Sequence, residues 1–550
     1  MASVNSDLFA AGCVGVASWT VFRSSKIRGD YALLFYTAAG ALLYTLIRLT
    51  SESPEPPFTT TVKLGSAYAL SLLLTTVAYR VSPFHPLAKF PGPVLCKVTG
   101  LYLAYISFTG KRHSFLDRQH ARYGRFVRAG PNIITVNSPS ALTIYDNPNT
   151  TKSELYRIAD RDLVHSALFF KPDTKRNHRD RRRIWHGLFT TAGLKEVLPS
   201  IERRTWQLLY ALEQRQQNGV VDVGATLGHW AFDVMGDVVF GGMTDFEFLK
   251  KGDSNGIMRS NKLATTIMDS VGLSPWLLDI LWHLPATKTM HASRDLATSM
   301  MRTRMKAERA LDYRDLSSYW MEGGIPENQL ELDAVVAMTA GSDTTASNLT
   351  FCVYFLTAHP ECARQLRQEL DKEFPNPAGM LDMDILQTLP YLNGVIHESL
   401  RLTTPYFMPR EVPIGGMVVD GHFIPHGTDI TIATNSQHMS EENFYPDPLA
   451  FRPARWIPGG LGPETKTNKN VLCSFGLGEY ACIGKMLAYQ EMRHTLSRLV
   501  LMYDFAFPEG FDVAGFPRGM QYTRSTYFEI PLLLKVTRRP GITGFKTAFE

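Results

Sequence analysis

Apolar residues crowd into three blocks before residue 80 and then settle into helical spacing along the rest of the chain. The first block is LFAAGCVGVASWTVF, Leu8–Phe22, and the second is YALLFYTAAGALLYTLI, Tyr31–Ile47. The third, LGSAYALSLLLTTVAY, covers Leu64–Tyr79 and reaches back to Phe58 across Lys63. A helix that crosses a bilayer needs about 20 mostly apolar residues, so the second block is the best candidate. Three spans fit the pattern best, with one span and two interfacial helices as the alternative. Arg23, Lys26 and Arg28 follow the first block, Glu52 and Glu55 the second, and Arg80, Lys89 and Lys97 the third. That distribution predicts an odd number of crossings, with the bulk of the chain on the cytosolic side. A cleaved leader is disfavoured by Asp7 and by the lack of a basic residue ahead of the first block. Residues 1–81 are therefore expected to form a membrane anchor with one to three transmembrane helices. SPFHPLAKFPGP, Ser82–Pro93, carries four prolines and predicts a stiff connection, a hinge over 82–97.

Beyond the hinge, Phe115–Tyr123 and Ile201–Arg215 repeat apolar residues at helical intervals. Glu331–His359 predicts a helix of about 43 Å that stops at Pro360. Leu386–Leu402 and Ile483–Tyr503 predict two more, and RFVRAG, NIITV and GGMVVDGHFIP read as short strands near glycine turns. The fold class expected is mainly α with small β-sheets; neither a fixed repeat nor βαβ alternation is present. Composition changes this little: 45% apolar and 20% charged residues describe a folded chain. A formal charge of +5 over 550 residues, with no Lys/Arg stripe, argues against a nucleic-acid partner. Six scattered cysteines without a CxxC pair argue against a disulfide framework or a zinc ribbon.

Candidate chemistry starts with FGLGEYACIG, Phe475–Gly484. Gly476, Gly478 and Ala481 fit G-x-G-x-x-A, but the segment before them is a poor strand and no acidic residue follows at the required distance. The other reading concerns Cys482. A cysteine at a helix start meets free N–H groups that favour its thiolate, and a thiolate can ligate iron. A buried thiol at a cap is the structural alternative, and the ten residues leave both open.

The loop resembles the haem-binding segment of cytochrome P450 enzymes, F-x-x-G-x-R-x-C-x-G. Phe475, Gly478, Cys482 and Gly484 match it, whereas Tyr480 stands where that family usually has a basic residue. Three further segments share the resemblance, in family order over about Phe90 to Ile530. Glu398 and Arg401 in ESLRL, with Arg455 in FRPARW, look like the family's buried glutamate and its two arginines, a structural ion network. AGSDTT, Ala340–Thr345, resembles the family's long-helix motif, which implies Asp343 and Thr344 as a catalytic acid–alcohol pair for proton delivery, supported by Thr345. HRDRRRIWHGLF resembles the helix that faces the haem propionates, implying Trp185 and Arg182 as cofactor-binding residues with His178 and Arg181 beside them. Phe189 occupies the position, four after the tryptophan, where a basic residue is common. Arg410 in YFMPREV matches another propionate-binding arginine and is the candidate to offset Tyr480.

The resemblance implies a P450 fold behind transmembrane helices, with a haem-thiolate catalytic domain over 98–550 binding haem b (iron protoporphyrin IX) and Cys482 as the iron ligand. It also implies insertion of one oxygen atom of O₂ into a lipophilic substrate, a terpenoid or another secondary metabolite, as in membrane-anchored fungal P450s. Electrons would come from NADPH-cytochrome P450 reductase, with cytochrome b5 as a second partner. The implied location is the endoplasmic reticulum membrane, with the catalytic domain facing the cytosol, which leaves the sequons at Asn149 and Asn348 unglycosylated. Isomerase, desaturase or dehydratase chemistry on the same haem is the enzymatic alternative, and a non-catalytic membrane haem sensor is the alternative of another class.

Overall fold

The computed structural model describes residues 2–542 apart from 24, 26, 52–54, 158–167, 173, 244–246, 285–287, 308–312, 404–405 and 517–529. Three helices lead the chain: α1 (Ala2–Phe22), α2 (Gly29–Thr50) and α3 (Pro57–Val81). The second and third are long and apolar enough to cross a membrane and bury none of their apolar windows, while the apolar part of α1, Ser6–Phe22, is shorter. Pro57 opens α3 because its missing N–H lies in a turn that has no intrahelical partner anyway. Small residues let α1 lie tightly along α3. A Cβ on Gly15 would fall 2.5 Å from the Tyr68 carbonyl oxygen. The Ser71 hydroxyl donates to the Gly12 carbonyl at 2.9 Å. The anchor also touches the body at several points, among them Gly29 and Arg80, whose guanidinium donates to the Val98 carbonyl at 2.6 Å. The Gly29 N–H donates to the Asp279 carboxylate at 2.9 Å, and a Cβ there would sit 1.9 Å from the Trp276 carbonyl oxygen.

The proline-rich connection is laid against a sheet. Leu87 and Phe90 are buried, and the Arg128 guanidinium donates to the carbonyls of Arg80 at 3.0 Å and Pro131 at 2.8 Å. His85 Nε2 lies 3.2 Å from the same guanidinium, and burial followed by Arg128 and Arg80 pushes its pKa down to about 4. The ring is therefore neutral and able to accept.

That sheet contains β1 (Phe126–Gly130), β2 (Ile133–Val136), β3 (Thr151–Lys152), β4 (Arg410–Glu411) and β5 (Asp429–Ile432), in the order β1-β2-β5-β4-β3. Only the β2–β5 pair is parallel. In the β3–β4 pair Lys152 stands opposite Arg410. GGMVVDGHFIP forms a separate hairpin, Met417–Val419 with His422–Ile424, turned by Asp420 and Gly421 at φ 46° and 72°.

The helices that position the site are α4 (Lys175–Trp185), α5 (Thr191–Gln214), α6 (Val223–Phe240), α7 (Ile257–Val271), α8 (Glu327–Ala358), α9 (Pro390–Thr403) and α10 (Lys485–Met502). Thr174 caps α4 by accepting from the Asn177 N–H, and Asp222 caps α6 by accepting from Ala225. One apolar core joins α5, α6, α8, α9 and α10 through Leu208, Trp230, Leu349, Ile396 and Leu496. Several boundaries differ from the sequence expectation, and α5 starts ten residues before Ile201. The long helix starts four residues earlier, after Pro326, and its 32 residues span about 48 Å. The run Leu386–Leu402 is two helices, Met383–Leu386 and α9, because Pro390 cannot donate the N–H that would join them. The last begins at Lys485, so Cys482 precedes the helix and Gly484 holds its N-cap position.

Candidate functional site

Phe475–Gly484 is a closed loop. The Cys482 N–H donates to the Phe475 carbonyl at 2.7 Å, and the Phe475 ring packs on Tyr489 at 5.1 Å. Gly478 has φ 66°, and a Cβ on it would meet the Tyr145 carbonyl oxygen at 2.0 Å. Its glycine requirement thus comes from the neighbouring chain as well as from conformation. A Cβ on Gly484 would fill the space beside the sulfur, 3.9 Å from both Cys482 Sγ and the Phe189 ring. Cys482 itself is exposed, yet burial by the surrounding protein raises its thiol pKa. Both hold when a sulfur faces an internal opening instead of bulk water. A main-chain hydrogen bond from Gly484, Arg182 and Lys485 pulls the pKa the other way without overcoming burial. Burial thus outweighs the loop's own donors, and a bound metal ion would favour the thiolate. Tyr406, which the sequence did not single out, has its phenol pKa raised by burial and then by nearby Cys482.

Beside the loop is a concentration of positive charge. The Tyr480 ring lies 4.7 Å from that of His178, 5.1 Å from the Lys152 ammonium and 5.0 Å from the Arg410 guanidinium. Arg182 Nη1 donates to the Ala481 carbonyl at 2.8 Å. Among the described residues, the buried Tyr480 hydroxyl and His178 Nε2 find no hydrogen-bond partner. Burial, then Lys152, pushes the His178 pKa down to about 3, and burial, then Glu479, pushes the Tyr480 phenol up to about 12. Glu479 faces Lys175 at 3.7 Å and Arg179 at 3.5 Å. Consecutive residues on α4 diverge by about 100°, which separates its three adjacent arginines, Arg181, Arg182 and Arg183. Arg181 turns to Asp333 and Gln329 of α8, Arg183 lies outward near Asp180, and of these three Arg182 reaches the loop. Arg181 is thereby removed from the group expected around a propionate. Trp185 is buried against Trp320 with ring centroids 4.8 Å apart.

In α8 the AGSDTT residues diverge in the same way. Asp343 is buried and accepts from the Asn261 amide of α7 at 2.8 Å, while the Thr339 hydroxyl donates to the other end of that amide at 2.8 Å. Burial raises the Asp343 pKa to about 6, opposed by Lys262 and Asn261. The Thr344 hydroxyl donates to the Ala340 carbonyl at 2.7 Å, the bond a threonine makes to the preceding turn. Ala340 is exposed in mid-helix, so this face borders an opening. Among the described residues, Asp343 and Thr344 have separate partners. Thr345 bonds to Glu491 of α10, a carboxyl that burial pushes up to about 8. Gly341 does not open space over a ligand as its small size suggests, because a Cβ there would strike Met235 of α6 at 2.4 Å.

The family model for cytochrome P450 matches residues 90–523, which is most of the chain. The chain belongs to the cytochrome P450 family. Among its relatives, tryprostatin B 6-hydroxylase of Neosartorya fischeri is 30% identical over 472 residues, covering 84% of each chain. Cytochrome P450 monooxygenase phqL of Penicillium fellutanum is 30% identical over 494 residues, covering 87% of this chain and 83% of the relative. This P450 is accordingly a monooxygenase of the fungal secondary-metabolism type, and its family implies haem, a redox partner and a lipophilic substrate. The residues fit such a group: a sulfur donor, a space that a Cβ at Gly484 would fill, and buried cations and donors able to receive carboxylates.

The same P450 core holds Glu398, fully buried, with both oxygens saturated. They accept from Arg401 Nε and Nη2 at 2.8 Å each, Arg455 Nε at 3.3 Å, the Arg452 N–H at 3.1 Å and the Trp456 indole at 2.9 Å. Arg401 Nη1 extends the network to the His438 carbonyl at 2.7 Å. These bonds fasten α9 to the segment that includes FRPARW.

Proposed function

We propose that this P450 binds haem b through Cys482 and hydroxylates a lipophilic secondary metabolite at the membrane surface. In this reading Phe475, Gly478 and Gly484 shape the loop around the sulfur, while Arg182, Arg410 and Trp185 lie on the propionate side. Bound haem supplies dioxygen activation and the transfer of one oxygen atom to carbon. The chain's own residues control protons and water. Asp343, with a pKa near 6, exchanges a proton close to neutral pH, and Asn261 fixes its carboxyl. Thr344 exposes a hydroxyl on the open face of α8 and can relay that proton once it releases the Ala340 carbonyl. Glu398, Arg401 and Arg455 touch no reacting atom and serve as structural fastening.

The supporting observation is an accessible cysteine thiol beside buried cations and unpartnered donors. Residues 1–81 would anchor the protein in the endoplasmic reticulum membrane, with 82–97 joining the anchor to the catalytic domain, 98–550, on the cytosolic side. NADPH-cytochrome P450 reductase would deliver electrons, with cytochrome b5 as a second donor. The named activity of the tryprostatin B relative supports hydroxylation as the reaction type. Two measurements test the reading. The ferrous–carbon monoxide spectrum of the purified protein should be that of thiolate-ligated haem and should be lost in Cys482→Ala. Product formed under labelled dioxygen should carry one labelled atom. An imidazole-type spectrum in active protein, or unlabelled product, overturns it. A glycan at Asn149 or Asn348 overturns the topology.

A further inference from the structure

Lys152 has no role in the assignment above, yet its surroundings call for an anion. Only 5% of it is exposed, and it faces Arg410, 3% exposed, across the β3–β4 pair. Like charges directly opposite on paired strands destabilise the pair. The ammonium donates to the carbonyls of Leu168 and Phe169 at 2.8 Å each, which uses two of its three N–H groups. Among the described residues no carboxylate forms an ion pair with Lys152, Arg182 or Arg410. The neighbouring acids are engaged elsewhere: Glu154 and Glu411 meet Lys171, and Glu479 faces Lys175 and Arg179.

Lys152 lies 5.5 Å from the Tyr156 ring and 5.8 Å from that of Phe169, and Arg410 lies 5.1 Å from Tyr145, but Tyr480 is the ring the two cations share. Its ring face attracts both heads, at 5.1 Å for Lys152 and 5.0 Å for Arg410, without adding charge of its own. An arginine or protonated histidine at position 480 would instead repel them. A neutral aromatic there and a buried lysine at 152 therefore depend on each other.

We infer that Lys152 is a third cation, with Arg182 and Arg410, for the carboxylates of the bound haem, and that Tyr480 holds it in place of the basic residue usual at position 480. The inference rests on the haem-thiolate reading above. Burial, then Arg410 and Arg182, drives the Lys152 pKa well down in the bare protein. A carboxylate beside it would reverse that shift and retain the charge.

The test uses full-length holoenzyme in detergent and follows haem transfer to excess apomyoglobin together with the ferric–ferrous midpoint potential. Lys152→Met should release haem about tenfold faster, equal to about 1.4 kcal/mol. Its midpoint should fall, because a nearby cation favours the reduced, more negative haem. Lys152→Arg should stay close to wild type in both. In a Tyr480→Arg background, Lys152→Met should no longer accelerate release. Equal release rates for wild type and Lys152→Met overturn the proposal, as does the same acceleration in both backgrounds. A lower unfolding midpoint with unchanged haem release and potential also overturns it, since Lys152 would then only bolt the Leu168–Phe169 carbonyls. Failure of the haem reading itself looks different: the wild type would carry no thiolate-ligated haem to transfer.

Discussion

Replacing Glu398 with alanine tests how three chain segments are held together. Five donors converge on its two oxygens, and the side chains of Glu398, Arg401 and Arg455 are completely buried. The substitution leaves two guanidinium groups without their anion in a place water does not reach. Removing one partner of a buried ion pair costs about 3–5 kcal/mol, against about 1 kcal/mol for one ordinary hydrogen bond. Folded domains hold only about 5–15 kcal/mol, so Glu398→Ala should remove about a fifth of the stability or more. Trp456→Phe is the internal scale, since it deletes one of the five donors and keeps most of the ring. Urea unfolding of the detergent-solubilised protein, followed by tryptophan fluorescence, should show the Glu398→Ala midpoint falling at least twice as far, with an unchanged slope. If Glu398→Ala costs no more than Trp456→Phe, the carboxylate is not the fastening point and apolar packing alone joins these segments.

Asp343 has a folded pKa near 6 against an ordinary 3.8, so native protein binds its proton more tightly than unfolded protein does. The resulting stabilisation is complete below pH 3.8 and is lost as pH rises through 6. Asp343→Asn should therefore gain about 2–3 kcal/mol at pH 7, gain nothing at pH 3.5, and slow turnover about a hundredfold or more; unchanged turnover removes Asp343 from proton delivery. Thr344→Ala should keep consuming reductant while product falls and hydrogen peroxide appears, and full coupling of reductant to product would refute its assigned relay. Gly478→Ala should fold but lose most of its haem, because its Cβ would drive the loop away from the Tyr145 carbonyl. Normal haem content in that variant would show that the loop can shift without harm.

What the sequence made legible follows from the range of the interactions. Glu398 and Arg401 share a helix face at i, i+3, and the FRPARW pattern carries Arg455 with them, so short spacing encodes most of that network. The Cys482 loop is a single local segment and can be read as one. Asn261, which holds Asp343, comes from another helix 82 residues away, and local pattern gives no hint of it. Lys152 meets Arg410 only because two distant strands pair in one register. Helix boundaries were misjudged where proline decides them: Pro326 allowed an earlier start and Pro390 divided a continuous apolar run. Gly341 is silent in the sequence because glycine permits any close neighbour, and only the fold shows that neighbour to be Met235.

The tie between Gly29 and the helix Pro275–Leu281, through Trp276 and Asp279, bears on how the protein is handled. Swapping the leader for another apolar stretch, a common expression tactic, would preserve bilayer affinity but sever this strut. The body would then be oriented on its anchor by the Arg80 contacts with Val98 and Arg128. Chimeras should consequently bind membranes normally while holding the body less rigidly against the anchor.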